Sequence, residues 1–208
     1  MEQRKKIVII GGGFAGLNLA KKLNNTNYDV LLIDKQNHHQ FQPLYYQVAS
    51  ARLEPSNISF PFRKIFQKTK NIQIRLDEVL EIKKEENKII TTSGIVNYDY
   101  LVIATGCSTN YFGNKQISEH ALSMKTTEDA IEIRNRILLS FEKIISANDN
   151  EKHALLNIII VGAGPTGVEL AGAFAEMKKY ILPRDYPNTD FSDLNIYLLE
   201  GSKTPLTV

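Results

Sequence analysis

A chain of 208 residues with 43% hydrophobic content is long enough for one or two domains around a sizeable core. Its net charge of +2 gives no argument for nucleic acid, and its single cysteine, Cys107, excludes an internal disulfide framework and any CxxC redox pair. No signal peptide is visible, and the longest uncharged stretches are interrupted by glycine and fall short of the ~20 residues that span a bilayer.

The elements read in chain order as follows. Ile7-Val8-Ile9-Ile10 is a β-branched apolar run that leads into Gly11-Gly12-Gly13-Phe14-Ala15-Gly16 and a helix-like segment. Residues 28–33 read as the next strand, with Asp34 at its end. Residues 35–60 read as irregular, rich in His, Gln, Tyr and Pro. Residues 61–70 predict a short amphipathic helix whose Arg63, Lys64, Lys68 and Lys70 form a solvated face between Phe62 and Phe66. The β-prone runs 72–76, 79–84, 88–92 and 95–98, separated by charged or glycine turns, predict a small inserted antiparallel meander.

Residues 99–103 form a further strand ending in Ala104-Thr105-Gly106, small residues that let backbone approach a ligand. Residues 126–147 predict a helix with apolar positions Ile131, Ile137, Leu138, Phe141 and Ile145, and residues 146–152 a polar linker. Then Ile158-Ile159-Ile160-Val161 leads into Gly162-Ala163-Gly164-Pro165-Thr166-Gly167, a second copy of the first pattern. A Pro- and Asp-containing insertion, residues 180–194, precedes the strand Asn195–Leu199, with Glu200 at its end.

A lone G-x-G-x-x-G is weak evidence. Two copies, each after a strand-like run and each followed by an acid at a later strand end, are much stronger. Gly11 and Gly162 permit a tight turn, Gly13 and Gly164 leave room for a pyrophosphate against backbone, and Gly16 and Gly167 let helix and strand pack closely. Unpaired N–H groups and the helix dipole favour the phosphate charges. Asp34 and Glu200 stand where an acid takes a ribose 2′-hydroxyl, and an acid there repels a 2′-phosphate, favouring NADH over NADPH. The expected fold class is therefore α/β: two dinucleotide-binding, Rossmann-like βαβ units with an inserted meander. Residues 1–150 are expected to hold the first dinucleotide-binding domain and residues 151–208 the start of the second. So few strands follow the second glycine run that we expect the chain to be the N-terminal portion of a longer protein.

The chain resembles the type II NADH dehydrogenases, single-subunit, non-proton-pumping NADH:quinone oxidoreductases. The resemblance runs through the first glycine run with Asp34, Phe41-Gln42-Pro43-Leu44-Tyr45-Tyr46-Gln47-Val48-Ala49, Pro61-Phe62-Arg63, residues 99–106, Asn110-Tyr111-Phe112-Gly113 and residues 161–172. It implies FAD in the first site and NADH in the second. Gly11, Gly13, Phe14, Ala15, Gly16, Asp34, Lys35 and His38 would hold the FAD diphosphate and ribose, Val79 would sit near the adenine, and Ala104, Thr105 and Gly106 would line the cofactor. Pro43, Leu44 and Gln47 would pass close to the isoalloxazine. Gly162, Gly164, Pro165, Thr166, Gly167 and Glu200 would hold NADH.

Glu169 has two readings. The resemblance places it beside nicotinamide and flavin as the catalytic residue, positioning the ring or relaying protons. Alternatively, it is an acid in a first helical turn favoured by the dipole. His38 and His39 lack the companions of a metal site, so no metal is expected, and the resemblance makes them loop histidines near the flavin ribose. Partners implied by the resemblance are NADH and a quinone, at the inner face of the plasma membrane through parts beyond these residues; a homodimer is compatible with it. Rival readings are a sulfide:quinone oxidoreductase, which needs paired cysteines, a ferredoxin-type reductase, and a non-catalytic NADH-binding sensor of the apoptosis-inducing-factor type.

Overall fold

The computed structural model describes residues 4–206. Its elements begin with β1 (Lys5–Ile10), α1 (Phe14–Lys22), β2 (Tyr28–Asp34), β3 (His38–Gln40), α2 (Tyr45–Ala49), β4 (Ser59–Pro61), α3 (Phe62–Ile65) and β5 (Ile72–Leu76). There follow β6 (Val79–Lys83), β7 (Lys88–Thr91), β8 (Gly94–Asn97), β9 (Tyr100–Ile103), α4 (Lys115–His120), α5 (Thr127–Ser146) and α6 (Asp149–Leu155). The last are β10 (Asn157–Val161), α7 (Pro165–Glu176), α8 (Leu182–Asp185) and β11 (Asn195–Leu199). They fall into two compact units: the chain up to Gln40 with Ser59–Thr109, and Phe41–Ile58 with Asn110 onward.

In the first unit a parallel sheet runs β5-β2-β1-β9. β1 and β2 lie between neighbours, and residues 7–10 and 30–33 are buried on both faces, as a continuous β-branched run requires. One face packs Ile7, Ile9, Val30 and Leu32 against Leu17 and Ala20 of α1 and against Phe62 and Phe66. The other packs Val8, Ile10, Leu31 and Ile33 under Ile89 and Val96 of the antiparallel meander β6-β7-β8. Residues 72–76 were expected in that meander; instead they form β5, which pairs in parallel with β2 from Val30↔Ile72 to Asp34↔Leu76. Asp77 stands where the parallel edge passes into the meander. Its carboxylate accepts the hydroxyls of Thr91 at 2.7 Å and Thr92 at 2.5 Å and the N–H of Glu78 at 2.9 Å. These bonds hold its pKa far below the usual carboxylate range.

In the second unit β10 and β11 pair in parallel, Asn157↔Asn195 to Val161↔Leu199. Ile158 and Ile160 pack into a core with Phe141, Ile144, Leu170, Phe174 and Met177. α5 carries a capping box, Thr126 with Asp129, and buries Ala130, Ile133, Phe141 and Ile144; Ile145, expected on that face, is exposed. The stretch 35–60 is less irregular than expected: it holds β3, the helix α2 and β4. The expected polar linker is largely helical, because Asn148 and Glu151 form a second capping box that starts α6. The insertion 180–194 contributes Leu182, Phe191 and Leu194 to the core. Lys178 ties it down by donating to the carbonyls of Ser192 and Leu194 at 2.8 and 2.7 Å.

The two sheets differ in one respect. Val8, Ile10, Leu31 and Ile33 are 0%, 8%, 4% and 0% exposed beneath the meander. The residues at the same steps of the second pattern, Ile159, Val161, Tyr197 and Leu199, are 61%, 53%, 47% and 51% exposed. Among the described residues no helix is long and apolar enough to cross a membrane.

Candidate functional site

Each glycine run crosses from a parallel strand to a helix through one turn. Gly11 and Gly162 have φ of +99° and +101°, where a side chain is strained. Their N–H groups are both taken by the adjacent strand, Gly11 by the Ile33 carbonyl and Gly162 by that of Leu199, each at 2.8 Å. A Cβ on Gly16 would collide with the Gly11 carbonyl oxygen, and one on Gly167 with that of Gly162. A Cβ on Gly13 or Gly164 would meet nothing within 4 Å. The third glycine of each run is thus there for packing, and the second faces open space where a ligand's phosphates could approach.

The helices that follow are bare at their N-termini. α1 and α7 have Gly13 and Gly164 as N-caps, with no side-chain cap and no acid in the first turn. α5 and α6 carry full capping boxes. Uncapped N–H groups on a helix opening into space form a ready anion site.

The two acids close the turns in the same way. Asp34 accepts the Gly12 N–H at 2.5 Å through one carboxylate oxygen and the Gln36 N–H at 2.7 Å through the other. Glu200 accepts the Ala163 N–H at 2.8 Å and the Ser202 N–H at 2.8 Å. The backbone donors, Ser202 first and then Ala163, hold the Glu200 carboxyl below its ordinary pKa.

In the first unit the expected residues Gly11, Gly13, Gly16, Asp34, Ala104 and Thr105 come together at one turn: Ala104 and Thr105 backbone lies against Gly11, and the Ala104 N–H bonds the Ile10 carbonyl at 2.8 Å. Phe14 and Ala15 are exposed at the start of α1. Lys35 is ion-paired to Glu78. His38 contacts Asn37 through Nδ1 at 3.0 Å and Gln40 through Nε2 at 3.2 Å, so its ring is occupied by its own neighbours. Val79 opens β6, half-buried, and Gly106 has φ of +72° on an exposed loop.

In the second unit Gly162, Gly164, Pro165, Thr166, Gly167 and Glu200 surround the other turn, with Pro165 as the first residue of α7. Pro43, Leu44 and Gln47 lie in a 3-10 turn and in α2; Gln47 donates to the Tyr46 hydroxyl at 3.1 Å. Glu169 is exposed and lies beyond the first turn of α7, which holds no acid. The account of it as a first-turn acid fails on that geometry.

Two contacts at the first turn have no counterpart in the sequence analysis, those of Phe62 and His39 with Gly12. Phe62 fills the space that a Cβ on Gly12 would need. His39, buried in β3, places Nδ1 3.0 Å from the Gly12 carbonyl oxygen and meets Phe14 edge-on with ring centroids 5.2 Å apart. The only sequence signal was Gly12 itself, an extra glycine where the second run has Ala163.

A duplicated strand–glycine–helix unit with a clamping acid is the architecture of a two-nucleotide flavoprotein. The chain belongs to the pyridine nucleotide-disulphide oxidoreductase family, whose model matches residues 5–208. Within it the chain is a homologue of type II NADH:quinone oxidoreductases. It is 39% identical to the type II NADH:quinone oxidoreductase Ndh of Mycobacterium tuberculosis over 98% of this chain and 45% of that protein. It is 34% identical to the external alternative NAD(P)H-ubiquinone oxidoreductase B2 of Arabidopsis thaliana mitochondria, over 99% of this chain and 38% of that one. The structure of NDH2 from Plasmodium falciparum in complex with NADH superposes with a TM-score of 0.89 at 29% identity, covering 98% of this chain and 43% of the other. The chain therefore spans less than half the length of these relatives.

Proposed function

We propose that the chain is the nucleotide-binding portion of an NADH:quinone oxidoreductase, with FAD at the first glycine turn, in residues 1–150, and NADH at the second, in residues 151–208. The observation that carries this is the pair of matching turns, each with open space at its second glycine, an uncapped helix N-terminus and an acid at the strand end. FAD held by the first turn would supply hydride acceptance from reduced nicotinamide and electron transfer to a quinone. The residues do the rest. N–H groups at the starts of α1 and α7 offset the diphosphate charges. Asp34 and Glu200 orient the ribose through a hydroxyl, and the charge of Glu200 turns away a 2′-phosphate.

Gly11, Gly13, Phe14, Ala15, Gly16, Asp34, Lys35, His38, Val79, Ala104, Thr105 and Gly106 are assigned to FAD, with Pro43, Leu44 and Gln47 toward its ring system. Gly162, Gly164, Pro165, Thr166, Gly167 and Glu200 are assigned to NADH. Glu169, ionisable and exposed, is assigned to the reacting end of the nicotinamide. The quinone reaction belongs to the full-length protein, attached peripherally to the inner face of the plasma membrane through parts beyond these residues. The test is an absorption spectrum of the purified chain with and without NADH under anaerobic conditions. Visible flavin bands that bleach on adding NADH are expected; bands that persist unchanged at saturating NADH overturn the coupling of the two sites.

A further inference from the structure

We propose that His39 is a positioning residue of the first dinucleotide turn, acting through its Nδ1–H on the Gly12 carbonyl; the consequence for ligand affinity rests on the reading of that turn as the FAD site. Nδ1 stands 3.0 Å from the Gly12 oxygen. A carbonyl oxygen only accepts, so Nδ1 carries the proton, and a neutral ring then has its lone pair on Nε2. The ring is fixed independently of this bond. It is buried on β3, whose residue His39 pairs with Phe60 of β4, and it meets Phe14 edge-on at 84°. Two residues after Phe60, Phe62 fills the space beside Gly12. The antiparallel pair β3–β4 and the first residue of α3 therefore deliver both the donor that takes the Gly12 carbonyl and the ring that excludes a side chain there.

The geometric consequence follows from the planarity of the peptide. The Gly12 C=O and the Gly13 N–H lie on opposite edges of one trans peptide plane. Asp34 holds the Gly12 N–H and His39 holds the Gly12 carbonyl, so both planes around Gly12 are set before a ligand arrives. The Gly13 N–H then lies on the edge away from His39, at the residue whose Cβ position is open. The second turn shows the same two-point clamp made from other groups. Glu200 accepts the Ala163 N–H, and the Ala163 carbonyl accepts the backbone N–H of Leu206 at 2.9 Å. Both middle residues are held at both ends. In the first turn a side chain does the work that backbone does in the second.

The test uses the chain as it is, with three substitutions. Asn at position 39 puts an amide N–H about where Nδ1 stands, Gln puts it nearer the Nε2 position, and Leu removes the donor. In the unliganded chain, nitrogen-detected histidine spectra at mildly alkaline pH are expected to show His39 as the Nδ1–H tautomer. Amide exchange at Gly12, whose N–H Asp34 holds, is expected to stay protected in His39→Asn and to accelerate in His39→Gln and His39→Leu. FAD titration is expected to show affinity retained in His39→Asn and reduced about tenfold in the other two, the scale of one net hydrogen bond. NADH affinity should be unchanged throughout. An Nε2–H tautomer, or equal behaviour of the three variants, overturns the proposal, since packing alone would not distinguish Asn from Gln. If the unsubstituted chain takes no FAD, the FAD reading fails, while the tautomer and exchange data still decide the role of His39.

Discussion

The Glu200 carboxylate accepts the backbone N–H of Ala163 at 2.8 Å, joining the end of β11 to the middle of the second glycine turn. The acid thus shapes the turn itself. The Ser202 and Ala163 donors lower its pKa by stabilising the ionised form. A depressed carboxyl pKa contributes stability that is fully present above the unfolded value of ~4.3 and is lost as pH falls through the lower folded value. Amide-exchange protection of Ala163 should fall across that acidic window in the parent chain. In Glu200→Gln it should be lower from the outset and flat over the same range. With NADH and NADPH titrated in parallel, Glu200→Ala should narrow the preference for NADH; unchanged discrimination would remove Glu200 from the ribose site.

Gly13 and Gly16 should separate cleanly on substitution. Gly13 has φ of −64°, which any residue adopts, and open space beyond it. Gly13→Val should melt close to the parent temperature and bind no FAD, because the side chain takes the diphosphate's place. Gly16→Ala drives a methyl into the Gly11 carbonyl. Overpacking against backbone that cannot yield costs about 1–3 kcal/mol, which outweighs the ~1 kcal/mol gained in helix propensity. Thermal melts of the unliganded proteins decide the second effect, and flavin titration decides the first.

Asp77 should make the first unit acid-sensitive. Its carboxylate is ionised by the hydroxyls of Thr92 and Thr91 and so contributes above the unfolded Asp value of ~3.9, with loss only as pH falls through its much lower folded value. Asp77→Asn should lower the melting temperature at neutral pH, with the gap to the parent narrowing in strong acid. Thr91→Val should behave similarly, since it removes a 2.7 Å donor without changing shape. Melting temperature against pH, for both variants, reads this out.

Ile159, Val161, Tyr197 and Leu199 form a contiguous apolar face on β10 and β11. Exposed patches of this kind drive association. The chain should self-associate as concentration rises, and Ile159→Lys with Leu199→Lys should shift it toward monomer in sedimentation velocity without lowering the melting temperature. A parent chain that stays monomeric at high concentration would rule this face out as the cause.

Most of the first unit could be read from the residues. β1, α1 and β2 follow from an apolar run, a glycine turn and a second run within about 30 residues, the size of a βαβ opening. The strand ends at Asp34 and Glu200 were legible because an acid closing a β-branched run is a local signal. The misreadings lie where a choice of partner mattered. Residues 72–76 are β-prone, but nothing in them says whether they pair with β2 or with residues 79–83. Ile144 and Ile145 are chemically identical neighbours, and only the way α5 sits in the core with Leu156, Phe174 and Phe191 decides which is buried. Residues 149–155 carried a capping box, Asn148 with Glu151, that was passed over as a polar linker.

The sequence by itself determined that this is an α/β protein with two strand–glycine–helix turns, each with its acid, because those features depend on spacing along one chain. Only the tertiary structure decided that Gly12 is wedged by Phe62 and held by His39, and that the two acids clamp backbone. Those contacts join residues 22 to 50 positions apart, and no local pattern encodes them: they exist only once the strands and hairpins have packed. The same holds for the bare face of β10 and β11, whose residues alternate as in the first unit and differ from it only in what lies on top.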